Sequence, residues 1–175
     1  QFDLIDAGLC EFAALAFAEF DSNGVVNVSR FGTANPGAGG FIDIAENAKR
    51  LVFCGTFTTG GLEVRIEDGQ LQIVREGRQR KFVAQASHIT YRVTDGVADR
   101  AQEATIITER AVFRVDSDGL TLTEIAPGID IQTQVLDQMD FRPVRIAPDL
   151  RRMDLALFAR QTHLVAEGLL TETAP

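Results

Sequence analysis

The chain has 175 residues, 45% of them hydrophobic and 24% charged, with a formal net charge of −8. That length suits one sizeable domain, and the acidic balance argues against a nucleic-acid backbone as partner. No apolar run reaches the roughly 20 residues a membrane-spanning helix needs, and nothing resembles a signal peptide.

Glu11–Phe20 (EFAALAFAEF) fits a buried strand or a helix equally well. The turn signal Asp21-Ser22-Asn23-Gly24 follows, then the strand-like Val25–Ser29, so a β-hairpin is expected. Next comes the most unusual stretch, Asn35-Pro36-Gly37-Ala38-Gly39-Gly40, followed by a short helix over Phe41–Lys49 with Lys49 and Arg50 near its C-terminus. Leu51–Phe57 (LVFCGTF) is a continuous apolar run, the pattern of a strand covered on both faces. Leu62–Ile66 and Leu71–Val74, joined by Asp68-Gly69, predict a hairpin, and Lys81–Tyr91 alternates like an irregular strand. Asp95–Gln102 reads as a polar connection. Three short strands are expected at Thr105–Thr108, Ala111–Val115 and Leu120–Ile125, the last two joined by Asp116-Ser117-Asp118-Gly119. Asp130 is placed to cap a helix over Ile131–Gln138. Phe141–Ile146 is extended around Pro143, Met153–Val165 predicts an amphipathic helix, and Gly168–Pro175 a frayed tail. The sum is α/β: an open mixed sheet flanked by helices, one domain over 1–165 and a tail over 166–175.

The glycine loop lies between a strand and a helix, which aims backbone N–H groups at one spot and suits a phosphate, carboxylate or oxyanion. Its spacing matches neither the dinucleotide fingerprint nor the P-loop, and a tight strand-to-helix turn explains the same glycines. Asp43 either stabilises the first helical turn or bonds the glycine backbone and supports the loop. Glu109-Arg110, charged between two apolar runs, reads as a structural ion pair, and Glu46 and Asn47 as helix-surface residues. His88 and His163 stand far apart, and no Ser/His/Asp or Cys/His constellation assembles. Cys10 and Cys54 sit in apolar surroundings and read as a reduced, buried pair of a cytoplasmic protein. With no CxxC and no His/Cys cluster, no metal site is expected.

The order of segments carries more than any one of them. GAGGFIDIAENAKRLVFCGTF, ITERAVFRV, GLTLTEIAPGID and MDFRPVRIAPDLRRMD together resemble the C-terminal, β-subunit-like part of family I coenzyme A transferases. The acetate/acetoacetate and propionate group is the most similar. The resemblance runs from about Phe2 to about Phe158. It implies a CoA-transferase-like fold, related to the sugar-phosphate isomerases, and an exchange of CoA between a short-chain acyl-CoA and a carboxylate. In that family a glutamate attacks the acyl-CoA and becomes a glutamyl-CoA thioester, with no metal or organic prosthetic group; coenzyme A is a substrate. The resemblance assigns Gly37, Gly39 and Gly40 to the oxyanion and CoA-binding loop, with Asp43 in support. It also implies that the nucleophilic glutamate lies upstream: Glu11, Glu46, Glu76 and Glu109 do not match its motif. Thr58-Thr59-Gly60-Gly61 lacks a lysine that some relatives carry there. The expected partners are an N-terminal transferase portion or subunit and further copies in a homo-oligomer. A non-catalytic assembly module and an α/β phosphate-binding domain of the sugar-phosphate isomerase type are the competing readings.

Overall fold

The computed structural model describes residues 5–30 and 32–159. In chain order the strands are β1 (Phe12–Ala16), β2 (Glu19–Asp21), β3 (Val25–Asn27), β4 (Arg50–Cys54), β5 (Thr58–Thr59), β6 (Glu63–Glu67), β7 (Gln70–Arg75), β8 (Gln79–Arg80), β9 (Phe82–Val83), β10 (Tyr91–Arg92), β11 (Glu103–Ile107), β12 (Ala111–Asp116), β13 (Gly119–Ile125) and β14 (Arg145–Arg152). The α-helices are α1 (Phe41–Asn47), α2 (Val93–Arg100) and α3 (Ile131–Gln134). No helix among the described residues is long and apolar enough to cross a membrane.

One mixed sheet, ordered β1-β4-β11-β12-β13-β14, organises the molecule. β1, β4 and β11 run parallel, β12 and β13 return antiparallel, and β14 lies parallel to β13 at the edge. The register sets Ala13, Leu51, Ala104 and Val115 in one inward row and Leu15, Phe53, Ile106 and Phe113 in the next. A second sheet, β10-β3-β2-β9, covers that inward face. Phe20 of β2 meets Phe53 edge-on at 6.0 Å between centroids, and Phe82 of β9 lies 5.2 Å from Phe113 and 4.7 Å from Phe57. Such aromatic pairs contribute about 0.5–1.5 kcal/mol each beyond their buried area. The core is therefore a slab of phenylalanines between two sheets.

Among the described residues the opposite face of the large sheet is left uncovered on β1, β4 and β11. Phe12, Ala14, Ala16, Cys54 and Ile107 are exposed there, and Val52 is half-buried. This corrects the expectation that Leu51–Phe57 is covered on both faces: β4 is central, between β1 and β11, but alternate side chains point away from the core. The cysteines are free thiols, as expected, but the picture of a buried pair is corrected: Cys54 is exposed and Cys10 half-buried.

The expected hairpins form, with β2–β3, β6–β7 and β12–β13 pairing antiparallel. Glu11–Phe20 resolves into two strands that belong to different sheets. Lys81–Tyr91 yields short β9 and β10 at its ends rather than one strand. Asp95–Gln102, read as a connection, is largely α2. Asp130 caps α3 as its sequence position suggests, its Oδ1 accepting from the Thr133 N–H at 2.8 Å. The final helix expected over Met153–Val165 starts as a short turn at Leu155–Phe158, and residues 160–165 with the tail lie outside the described residues.

Helix α1 is fastened at both ends. Phe41 packs on Phe53 at 6.2 Å. At the other end the buried Gln102 amide donates to the carbonyls of Ala45, Glu46 and Ala48 at 2.9, 3.2 and 2.6 Å. Its oxygen accepts from the Tyr91 hydroxyl at 2.9 Å. Lys49 does not lie in the last turn of α1 but pairs with Glu11 at 2.6 Å. Replacing Gln102 by leucine strands those carbonyls and the phenol. Chemical denaturation of Gln102→Leu is expected to show a loss of roughly 1–3 kcal/mol; an unchanged midpoint would remove Gln102 from the support of α1.

Candidate functional site

Helix α1 leads directly into β4 and runs back along it, as the Phe41–Phe53 contact records. Its N-terminus and the preceding loop therefore stand at the carboxyl ends of the parallel strands β1, β4 and β11, where α/β sheets bind ligands. Gly37 and Gly39 have φ of 83° and 55°, the left-handed region that favours glycine. A Cβ on either would meet nothing within 4 Å. These glycines are thus not explained by a neighbouring strand; the backbone conformation requires them, and it leaves their surfaces open. Gly40 is the residue before the first turn of α1, with an ordinary φ of −83°. Asp43 is exposed in that first turn, and among the described residues its carboxylate forms no hydrogen bond to the loop.

Beneath the strand ends lies a buried ionic cluster. The Arg110 guanidinium is fully buried. It donates to both Glu76 carboxylate oxygens, at 2.7 and 2.9 Å, to Glu109 Oε1 at 2.7 Å and to the Gln134 carbonyl at 3.0 Å. Its plane lies over the Phe57 ring, 5.0 Å from the centroid. The second Glu109 oxygen accepts from the Phe57 N–H at 2.8 Å, and the buried Thr58 hydroxyl donates to Glu76. Burial works to raise the Glu76 carboxyl; the Arg110 and Thr58 hydrogen bonds outweigh it and hold the group below its usual value. The structural ion pair expected for Glu109-Arg110 is present, with Glu76 as a third member.

One cation stands apart. Lys81 is 7% exposed, and its Nζ sits 3.8 Å from the centre of the Phe17 ring. Desolvation pulls its pKa down to about 8 against the opposing pull of Glu109. No hydrogen-bond acceptor for Nζ is found among the described residues. Gly55, just past β4, makes room for it: a Cβ there would come within 2.6 Å of Nζ. Lys81 lines a cavity of about 730 Å3 with Phe17, Ala18, Glu19, Arg30 and Arg80, among others. Sequence reasoning passed over Lys81, which closes the basic run Arg78-Gln79-Arg80-Lys81, and Gly55, a glycine inside an otherwise apolar run. His88 is exposed on a loop and His163 lies outside the described residues. Among the described residues no His, Cys, Asp and Glu gather in a group that could hold a metal ion.

No family model matches the chain. It is 47% identical over 158 residues to the acetate CoA-transferase YdiF of Escherichia coli (strain K12), a match covering 90% of this chain and 29% of that protein. It is 41% identical over 166 residues to the caffeate CoA-transferase of Acetobacterium woodii, covering 92% of this chain and 31% of that one. The crystal structure of the acyl-CoA transferase YdiF from E. coli O157:H7, in a thioester complex with CoA, superposes with a TM-score of 0.86 at 46% identity, over 90% of this chain and 30% of that chain. The chain thus spans about 30% of the length of these relatives.

The ionic cluster generates a prediction with a definite sign. Because Glu76 is held below its usual value, its share of stability is present above about pH 4.5 and lost as pH falls further. Arg110→Met leaves two carboxylates without their cation and is expected to cost about 3 kcal/mol at neutral pH. It also removes the Arg110 hydrogen bond and charge that lower Glu76, leaving only Thr58 and Gly77 against burial, so the gain in stability above pH 4.5 shrinks. Urea denaturation of both proteins across pH 3–7 checks this. Parallel stability–pH curves would contradict it.

Proposed function

We propose that this relative of the coenzyme A transferases is the C-terminal, β-subunit-like part of a family I enzyme. That enzyme moves CoA from a short-chain acyl-CoA to a carboxylic acid through a glutamyl-CoA thioester. The observation that carries the reading is the loop Gly37–Gly40: open, glycine-specific in conformation, and set at the carboxyl ends of the parallel strands. The similarity to an acetate and a caffeate CoA-transferase supports CoA transfer to a carboxylic acid in general.

In this reading the nucleophilic glutamate belongs to the part of the longer protein that this chain does not match. The loop contributes N–H groups from Gly39 and Gly40 to the oxyanion that forms when the carboxylate or thiolate attacks the acyl carbon. Oxyanion donors work because they are fixed before charge develops, in a site from which water is largely excluded. Gly37 lets the chain turn into the loop, and Asp43, in the first turn of α1, steadies its helical end. Coenzyme A enters as substrate.

The rest of the longer protein also explains the bare sheet face. Its apolar half, carried by Phe12, Ala14, Ala16, Cys54 and Ile107, is the sort of surface a soluble domain keeps covered. The remaining portion of the transferase is the proposed cover.

Two measurements test this. The chain by itself is expected not to exchange CoA between acyl-CoA and acetate; turnover with an acyl group trapped on any of its own glutamates would contradict the missing-nucleophile reading. In the longer enzyme, Gly39→Val and Gly40→Val are expected to lower kcat by about 10²–10³-fold, the usual cost of one oxyanion donor. The Gly40→Val melting temperature should shift little, because Gly40 has an ordinary φ, whereas Gly39→Val also strains the backbone at its positive φ and should melt somewhat lower. Near-normal turnover in both variants would take the loop out of the reaction.

A further inference from the structure

A buried ammonium is costly unless something partners it. Lys81 is more than nine-tenths buried as a residue, its Nζ opens to the cavity, and neither nearby carboxylate is hydrogen-bonded to it. Glu109 is held by Arg110 and the Phe57 N–H. Glu19 accepts from Asn27 Nδ2, Ser87 N and Ser87 Oγ at 2.9, 2.9 and 2.7 Å, all at Oε2. Arg80 is occupied with Asp140 and the carbonyls of Asp137 and Met139. What Lys81 faces is the cavity, whose lining sets three cations, Arg30, Arg80 and Lys81, against the single carboxylate of Glu19. In a chain of net charge −8, that local excess is distinctive.

The shape of the cavity narrows the ligand. Its inner wall is apolar, formed by Phe17 and Ala18, with Lys81 beside the Phe17 ring. One desolvated monovalent cation next to an aromatic wall matches a monoanion with an apolar tail. A phosphate dianion would bring a second charge with no second buried, uncommitted cation to meet it. Gly55 belongs to the same design, since any side chain there would displace Nζ.

We propose that the Lys81 cavity binds the carboxylate of a monocarboxylic acid, with Lys81 Nζ donating to a carboxylate oxygen and Phe17 and Ala18 packing against the acid's carbon chain. The site lies at the carboxyl ends of β1 and β4, on the side of the sheet reached by Gly32 at the start of the glycine loop. Resting on the transferase reading, it is the pocket for the acid that accepts CoA, and Lys81 is a binding residue for that acid. The lowered pKa of Lys81 accords with a cation kept in place for a ligand rather than for the fold.

The test is a titration of the ¹⁵N-labelled chain with propionate and, separately, with inorganic phosphate, followed by amide shifts. Propionate is expected to move the resonances of Phe17, Ala18, Gly55 and Thr59 and to saturate, while phosphate does not. Lys81→Met should bind propionate about tenfold or more weakly, the worth of one charge-assisted hydrogen bond. It should melt at the same or a higher temperature, because a partly desolvated charge is gone. Gly55→Ala, which keeps the lysine but crowds its ammonium, should weaken binding as well. Equal propionate binding by all three proteins, or saturation by phosphate in place of propionate, would overturn the proposal. The titration involves no CoA, so its outcome is separable from the functional reading. Propionate binding through Lys81 with no transferase activity in the longer protein would sink that reading and leave this site standing. An active transferase whose KM for the acid is unchanged by Lys81→Met would do the reverse.

Discussion

The buried guanidinium of Arg110 is the constraint around which the candidate-site end of this molecule is arranged. Four segments distant in sequence end on it: the turn between β11 and β12, the Phe57–Thr58 link after β4, Glu76 after β7, and the last carbonyl of α3. An arginine can do this because its planar fork offers five donors in fixed directions and stacks on an aromatic face. The cost is that removing any member leaves a charge in the interior without a partner. The strand ends are consequently held rigidly, and a rigid floor is what a binding loop needs if its N–H groups are to be fixed in advance of the chemistry.

A second constraint comes from the sheet itself. Its outer face divides by strand. On β1, β4 and β11 it carries Phe12, Ala14, Ala16, Val52, Cys54 and Ile107, with Thr105 among them and Arg50 and Glu103 only at the amino ends of their strands. On β12 to β14 it carries ion pairs, Arg114 with Asp116, Arg145 with Asp116 and Asp118, and Arg151 with Glu124. Surface pairs of this sort add little to stability, but they mark the half of the face that is at home in water. The apolar half is not, and it adjoins the strands whose ends form the candidate site. The same three parallel strands thus position the loop and offer the seam along which, in the proposed enzyme, the rest of the protein joins.

Much of this was legible in the sequence. The three hairpins carry strong turn signals, the Asp130 cap is local chemistry, and the motif order pointed to the coenzyme A transferases before any coordinates. What was hidden was hidden for physical reasons. LVFCGTF reads as doubly covered because its outward residues are apolar; the pattern records apolar outward positions, and among the described residues nothing covers them. Helix α2 was read as a connection because VTDGVADR combines weak helix formers with a central glycine. That glycine answers to a tertiary demand: a Cβ on Gly96 would come within 1.8 Å of Gln102 Oε1, the side chain that clamps α1. Lys81 was invisible for a related reason. It sits beside Arg80 in a basic run that looks solvated, and only the fold turns it toward Phe17 and Gly55.

The central claim is that the glycine loop meets the reacting thioester. The most direct measurement is a crystal structure of the longer protein with an acyl-CoA or its enzyme thioester trapped in place. The account predicts the backbone N–H of Gly39 or Gly40 about 3 Å from the acyl oxygen. A thioester bound elsewhere, with the loop turned to solvent, would contradict it.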